Sequence, residues 1–168
     1  MKPLAILGCL AAGVAVSGCT ILSSSPPPRT HHGTVALCSS GTSVRSLVVT
    51  RDLLHHATFP FPATVHVGAA GAERAVDAVC SLPGEPIGVR SCPIDLGPTY
   101  QLTFTTTDGR TATVVTDPTG CATASSPTHS IGTTGFGVRA TNEGFWRTLG
   151  AALGVHGATR QTFVGTSA

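Results

Sequence analysis

An α+β domain carrying an antiparallel sheet is the fold class that three features of this 168-residue sequence predict: alternating β-branched runs, one amphipathic stretch at helical period, and an Asp-Gly turn between two alternating segments. Residues 44–51 are rich in β-branched side chains and bounded by Ser and Gly, which suits a strand. Residues 63–67 place Val65 and Val67 on one face and Thr64 and His66 on the other. A further short strand is expected over 34–38. Between these runs, Phe59-Pro60-Phe61-Pro62 is excluded from a central strand because proline donates no ladder hydrogen bond, and it reads as a loop with an apolar anchor.

The period changes over 70–82. Ala72, Ala75, Val76, Val79 and Cys80 recur at helical spacing, Glu73, Arg74 and Asp77 take the opposite side, and Pro83-Gly84 ends the run. A hairpin is expected over 99–117: Tyr100, Leu102 and Phe104 alternate with Gln101, Thr103 and Thr105, Asp108-Gly109 supplies a two-residue turn, and 112–116 returns. That loop length opposes Leu102 to Val115 and Phe104 to Thr113. A strand near 136–140 precedes a C-terminal helix over 142–154, with Asn142 as its cap and Glu143 in its first turn. Phe145, Trp146, Leu149 and Leu153 read as the packing face of that helix in preference to a ligand-binding aromatic box. Residues 156–168 read as a flexible tail.

The N-terminus has the parts of a secretory signal: Lys2, an apolar stretch over 4–16, and small residues before Cys19. The apolar stretch falls short of the ~20 residues that span a bilayer as a helix. Val16-Ser17-Gly18-Cys19 has the form of a bacterial lipobox, so Cys19 is the expected lipidation site; Ile6-Leu7-Gly8-Cys9 has a similar form but leaves too short an apolar core. The competing reading is an ordinary signal peptide that contains a cysteine. A diacylglyceryl group supplies the two acyl chains that stable membrane attachment requires. The expected organisation is a signal peptide at 1–18, a lipidated Ser/Pro-rich tether at 19–33, one domain at 34–155 and the tail.

Of six cysteines, Cys9 leaves with the signal and Cys19 takes the lipid, so Cys38, Cys80, Cys92 and Cys121 remain for two disulfides in an oxidising exterior. Four cysteines allow three pairings. The hairpin register prefers Cys92 with Cys121, because these two flank its open end, and leaves Cys38 for Cys80. A zinc site is the competing reading, but there is no C-x-x-C pair and the spacings are irregular.

Formal charge is +2 and aromatics make up 5% of residues, with no basic stripe, so no nucleic-acid partner is expected. The seven histidines form no H-E-x-x-H, and no G-x-S-x-G is present. The neighbours in His31-His32 and in His55-His56 point to opposite sides of an extended chain, while Asp95, Asp108 and Asp117 sit where turns favour Asp for backbone reasons. No catalytic residue, metal or cofactor is expected. An enzyme would need a pocket gathering His66 or His129 with an acid.

Two resemblances follow. Residues 75–83, Ser91-Cys92-Pro93-Ile94-Asp95-Leu96-Gly97 leading to residues 100–104, Asp117-Pro118-Thr119-Gly120-Cys121, and Phe145-Trp146-Arg147-Thr148-Leu149-Gly150 together resemble a set of small secreted proteins and lipoproteins of actinobacteria. That resemblance implies fold and location and no activity. Cys92-Pro93 with Pro98, followed by a hairpin and a closing cysteine, is similar to the protease-binding loop of Streptomyces subtilisin inhibitors. It implies that Ile94 enters a protease pocket and Asp95 follows the scissile bond.

The expected function is therefore that of a lipid-anchored protein on the extracytoplasmic face of the membrane, a non-catalytic binding or structural module with an envelope protein as partner. The alternative is a protease inhibitor acting through Pro93, Ile94 and Asp95.

Overall fold

The computed structural model describes residues 36–52, 57–84, 91–92, 97–126 and 137–166. Six strands form one antiparallel sheet in the order β2-β1-β3-β4-β5-β6, where β1 is Val44–Arg51, β2 Thr64–Gly68, β3 Tyr100–Thr106, β4 Thr111–Thr116, β5 Thr123–Ser125 and β6 Arg139–Ala140. Three helices complete the fold: α1 (Ala69–Cys80), α2 (Glu143–Ala152) and α3 (Arg160–Val164). This is the α+β class read from the sequence, with the two disulfides Cys38–Cys80 and Cys92–Cys121 in the preferred pairing.

Alternation decides which side of the sheet the helices cover. Leu47, Val49, Leu102, Phe104 and Val114 are each at most 1% exposed and share one face, on which α1 packs; Thr50, Gln101 and Thr111 point to the opposite, solvated face. Helix α1 buries Ala72, Ala75 and Val79 as its periodicity requires. A side chain at Gly71 would collide with Val67 of β2, while Ala152 of α2 lies at ordinary contact distance, so the missing Cβ leaves room for the Val67 side chain against the first turn of α1. Asn142 caps α2 as expected, its Oδ1 accepting from the Phe145 N–H at 2.9 Å.

The hairpin register differs from the expectation. Leu102 faces Val114 and Phe104 faces Ala112, not Val115 and Thr113. The connection is a three-residue loop: the Thr106 N–H donates to the Arg110 carbonyl at 2.9 Å, the Gly109 N–H donates to the Thr106 carbonyl at 3.0 Å, and Gly109 alone in the loop takes a positive φ, 88°. A two-residue type I′ turn needs positive φ at Asp108 as well, whereas a turn closed by one left-handed glycine does not. Asp108 favours the longer loop further by accepting from the Thr106 hydroxyl and the Arg110 N–H.

Two other expectations are corrected. Residues 36–40 form turns and not a strand, with the Ser39 N–H bonded to the Ala36 carbonyl. The supposed flexible tail over 156–168 contains α3, whose Phe163 is 0% exposed, and Thr166 pairs with Thr58. Phe163 packs among Phe61, Tyr100 and Trp146 with ring centroids 5.4, 5.4 and 4.9 Å away, and this aromatic contact holds the chain end down.

Candidate functional site

The sequence directs attention to the loop after Cys92, whose residues Pro93, Ile94 and Asp95 lie outside the described residues. Its two ends are described, and both are fastened to one turn. Cys92 is bonded to Cys121 with their Cα atoms 5.2 Å apart. On the other side Gly97 passes so close to Thr119 that any side chain at 97 would collide with it, and Pro98 is buried.

The turn that receives both ends is itself held firmly. The Ala122 N–H donates to the Thr119 carbonyl at 2.8 Å and the Asp117 N–H to the Thr123 carbonyl at 3.1 Å, with Gly120 and Ala122 at φ 57° and 49°. The left-handed backbone of Ala122, a residue with a Cβ, stores strain that the surrounding bonds must hold. Just beyond the loop, the Thr99 hydroxyl donates to Asp117 at 2.8 Å, and the Thr99 N–H donates to the Asp52 carboxylate at 3.0 Å. The clamp thus draws on β1, β3 and the end of β4.

Cys38 and Cys80 form the second bridge, Cα atoms 5.4 Å apart, which ties the segment preceding β1 to the last turn of α1. The lipidation candidate Cys19 lies outside the described residues, as do His31, His32, His55, His56 and His129. His66 is described; it is exposed on β2, and among the described residues no cluster of three or more His, Cys, Asp or Glu gathers around it. Among the described residues His66 forms no ion pair with an acid.

Sequence reasoning missed two concave places. A polar cleft of about 210 Å³ lies between residues 39–43 and the hairpin loop, with Asp108 and Arg110 paired at 2.8 Å on its wall. The Thr106 hydroxyl, foremost, and the Arg110 N–H groups hold the Asp108 carboxyl below the usual carboxylate range, so it is a structural acceptor and poorly suited as a base. An apolar groove of about 390 Å³ runs between Phe59-Pro60 and Gln161, Thr162, Gly165 and Thr166. Beside it the Arg51 guanidinium stacks 3.6 Å over the Phe59 ring. The unexpected α3 builds one wall of that groove, so no local pattern pointed to it.

No family model, curated protein or solved structure matches this chain. Among the described residues no helix is long and apolar enough to cross a membrane.

Proposed function

We propose that this chain is a lipid-anchored, non-catalytic binding module held at the extracytoplasmic face of the membrane through Cys19, with an envelope protein as its partner. The observation that carries this reading is the Cys38–Cys80 bridge at the root of the proposed tether. A domain hung from one end of its chain experiences any pull at that end first. A covalent link from the root to α1 passes such a load into the core and spares the first residues of β1. Two disulfides in a chain of this size also fit an oxidising compartment.

The test is intact-mass and peptide spectrometry on protein extracted from the membranes of a cell that processes it. A diacylglyceryl adduct on Cys19, lost with release of Cys19→Ser into the medium, is the expected result. An unmodified Cys19 in a membrane-free protein overturns the anchoring.

A second reading, protease inhibition through Pro93, Ile94 and Asp95, is favoured by the clamp. A loop fastened at both ends to one rigid turn loses little ordering entropy when a protease binds it. Stoichiometric inhibition of a subtilisin-like protease, abolished by Ile94→Gly, would support this reading, and plain digestion of the chain within that loop would dismiss it.

A further inference from the structure

The two edges of the sheet are treated differently. At β6 the outer edge is closed by the chain itself: Gly84 bridges to Arg139, and the Ala140 N–H donates to the Pro83 carbonyl at 3.3 Å. At β2 no described segment does this.

Which groups β2 leaves open follows from its pairing with β1. The Arg51 N–H donates to the Ala63 carbonyl at 2.7 Å, and antiparallel ladders alternate, so Val65 and Val67 also exchange their bonds with β1 across the pairs Val49↔Val65 and Leu47↔Val67. The backbone groups of Thr64 and His66 and the Gly68 N–H therefore point away from the sheet. All three residues are exposed, and among the described residues their outward groups have no hydrogen-bond partner. Sheet edges are ordinarily guarded by a charge, a proline or a bulge. Within β2, Thr-Val-His-Val-Gly, there is none of these.

We propose that β2 is the contact strand of a homodimer, in which a second copy adds its own β2 antiparallel about a two-fold axis at His66. The register is self-consistent. His66 meets the second copy's His66 as a bonded pair, the Gly68 N–H reaches the second copy's Thr64 carbonyl, and Val65 lies across from the second copy's Val67. Val65 is half-buried, so the pairing covers apolar surface that the monomer leaves exposed. A strand without Asp, Glu, Lys or Arg between 62 and 72 meets its own copy without repulsion between such charges, and Gly68, with nothing within 4 Å of the position a Cβ would take, leaves room opposite Thr64. Five residues per copy is a small contact compared with the ~1,600 Å² of a standard interface, so the dimer is weak in dilute solution and strengthened wherever copies are concentrated.

The experiment uses the full chain expressed in a cell that processes it. Oxidation of intact membranes or secreted material is expected to give a disulfide-linked dimer for His66→Cys and none for Thr111→Cys, an exposed position on β4. Because an added thiol can disturb the native bridges, hydrogen exchange on the unmodified protein supplies the second measurement: the His66 and Gly68 amides slow as concentration rises. The pair Thr64→Lys and His66→Lys places like charges across the axis and weakens the dimer by about tenfold or more. Monomeric mass at every concentration with fast edge amides overturns the proposal. Slow edge amides in a monomeric species overturn it too, and identify another extended segment as the occupant.

Discussion

The Tyr100 hydroxyl donates to the Phe163 carbonyl at 2.7 Å while the two rings meet edge to face at 5.4 Å, joining the first residue of β3 to a helix 63 positions further along the chain. One side chain thereby supplies both a packing surface for α3 and a hydrogen bond to its backbone. The C-terminal segment belongs to the core through this contact.

Phe163→Ala is expected to cost about 3 to 5 kcal/mol, the usual range for emptying a large aromatic site in a core. Urea denaturation followed through the single tryptophan, Trp146, measures it directly, since that side chain is 0% exposed and touches Phe163. A loss below about 1 kcal/mol would mean that residues past 155 contribute nothing to the fold.

Stability is expected to fall in alkali. Burial, partly offset by the neighbouring Arg51, pushes the Tyr100 hydroxyl well above the ordinary tyrosine range. The unfolded chain releases this proton near pH 10 while the folded chain keeps it, so above that pH the unfolded state binds fewer protons and the stability slope is negative. Unfolding free energy should be level with respect to this group below about pH 10 and decline above it. With one tyrosine in the chain, absorbance titration of phenolate reports the event without ambiguity.

Val114→Ala is expected to be more destabilising than Val115→Ala by about 2 kcal/mol, since burying a valine is worth about that amount. Val114 is 1% exposed within the hydrophobic core, whereas Val115 lies on the solvated face. Equal losses would restore the two-residue loop. Gly109→Ala, at φ 88°, should cost about 1 kcal/mol in the same measurement.

Removing either bridge as a paired Cys→Ser change is expected to cost on the order of 4 kcal/mol, since the bridges close separations of 42 and 29 residues. Non-reducing peptide maps should recover Cys38 with Cys80 and Cys92 with Cys121. A crossed pair would contradict the packing of α1 against the segment before β1.

Elements whose pattern repeats were legible in the sequence. Strand β1 has the expected limits, α1 lies within a residue or two of its periodic run, and Asn142 caps α2. The hairpin was legible as an element and not in its register. The doublet Val114-Val115 puts one valine on each face, so alternation is satisfied by either loop length. Turn chemistry at Asp108 and Gly109 then selects the face. The clamp on the loop after Cys92 was half legible: its disulfide followed from the spacing of the hairpin, but the seating of Gly97 on Thr119 depends on a turn reached only after the hairpin has closed.

Local pattern alone determined the class of the fold and the order of its main elements, because period acts over a few neighbouring residues; it gave a preference for Cys92 with Cys121, and the tertiary structure decided both bridges. Tertiary contact alone decided α3, a five-residue helix with one buried aromatic, too short to be stable without a core to enter. It also decided that the β6 edge of the sheet is closed, since that depends on where Pro83 and Gly84 pass after α1 ends, and no periodicity in the chain encodes it.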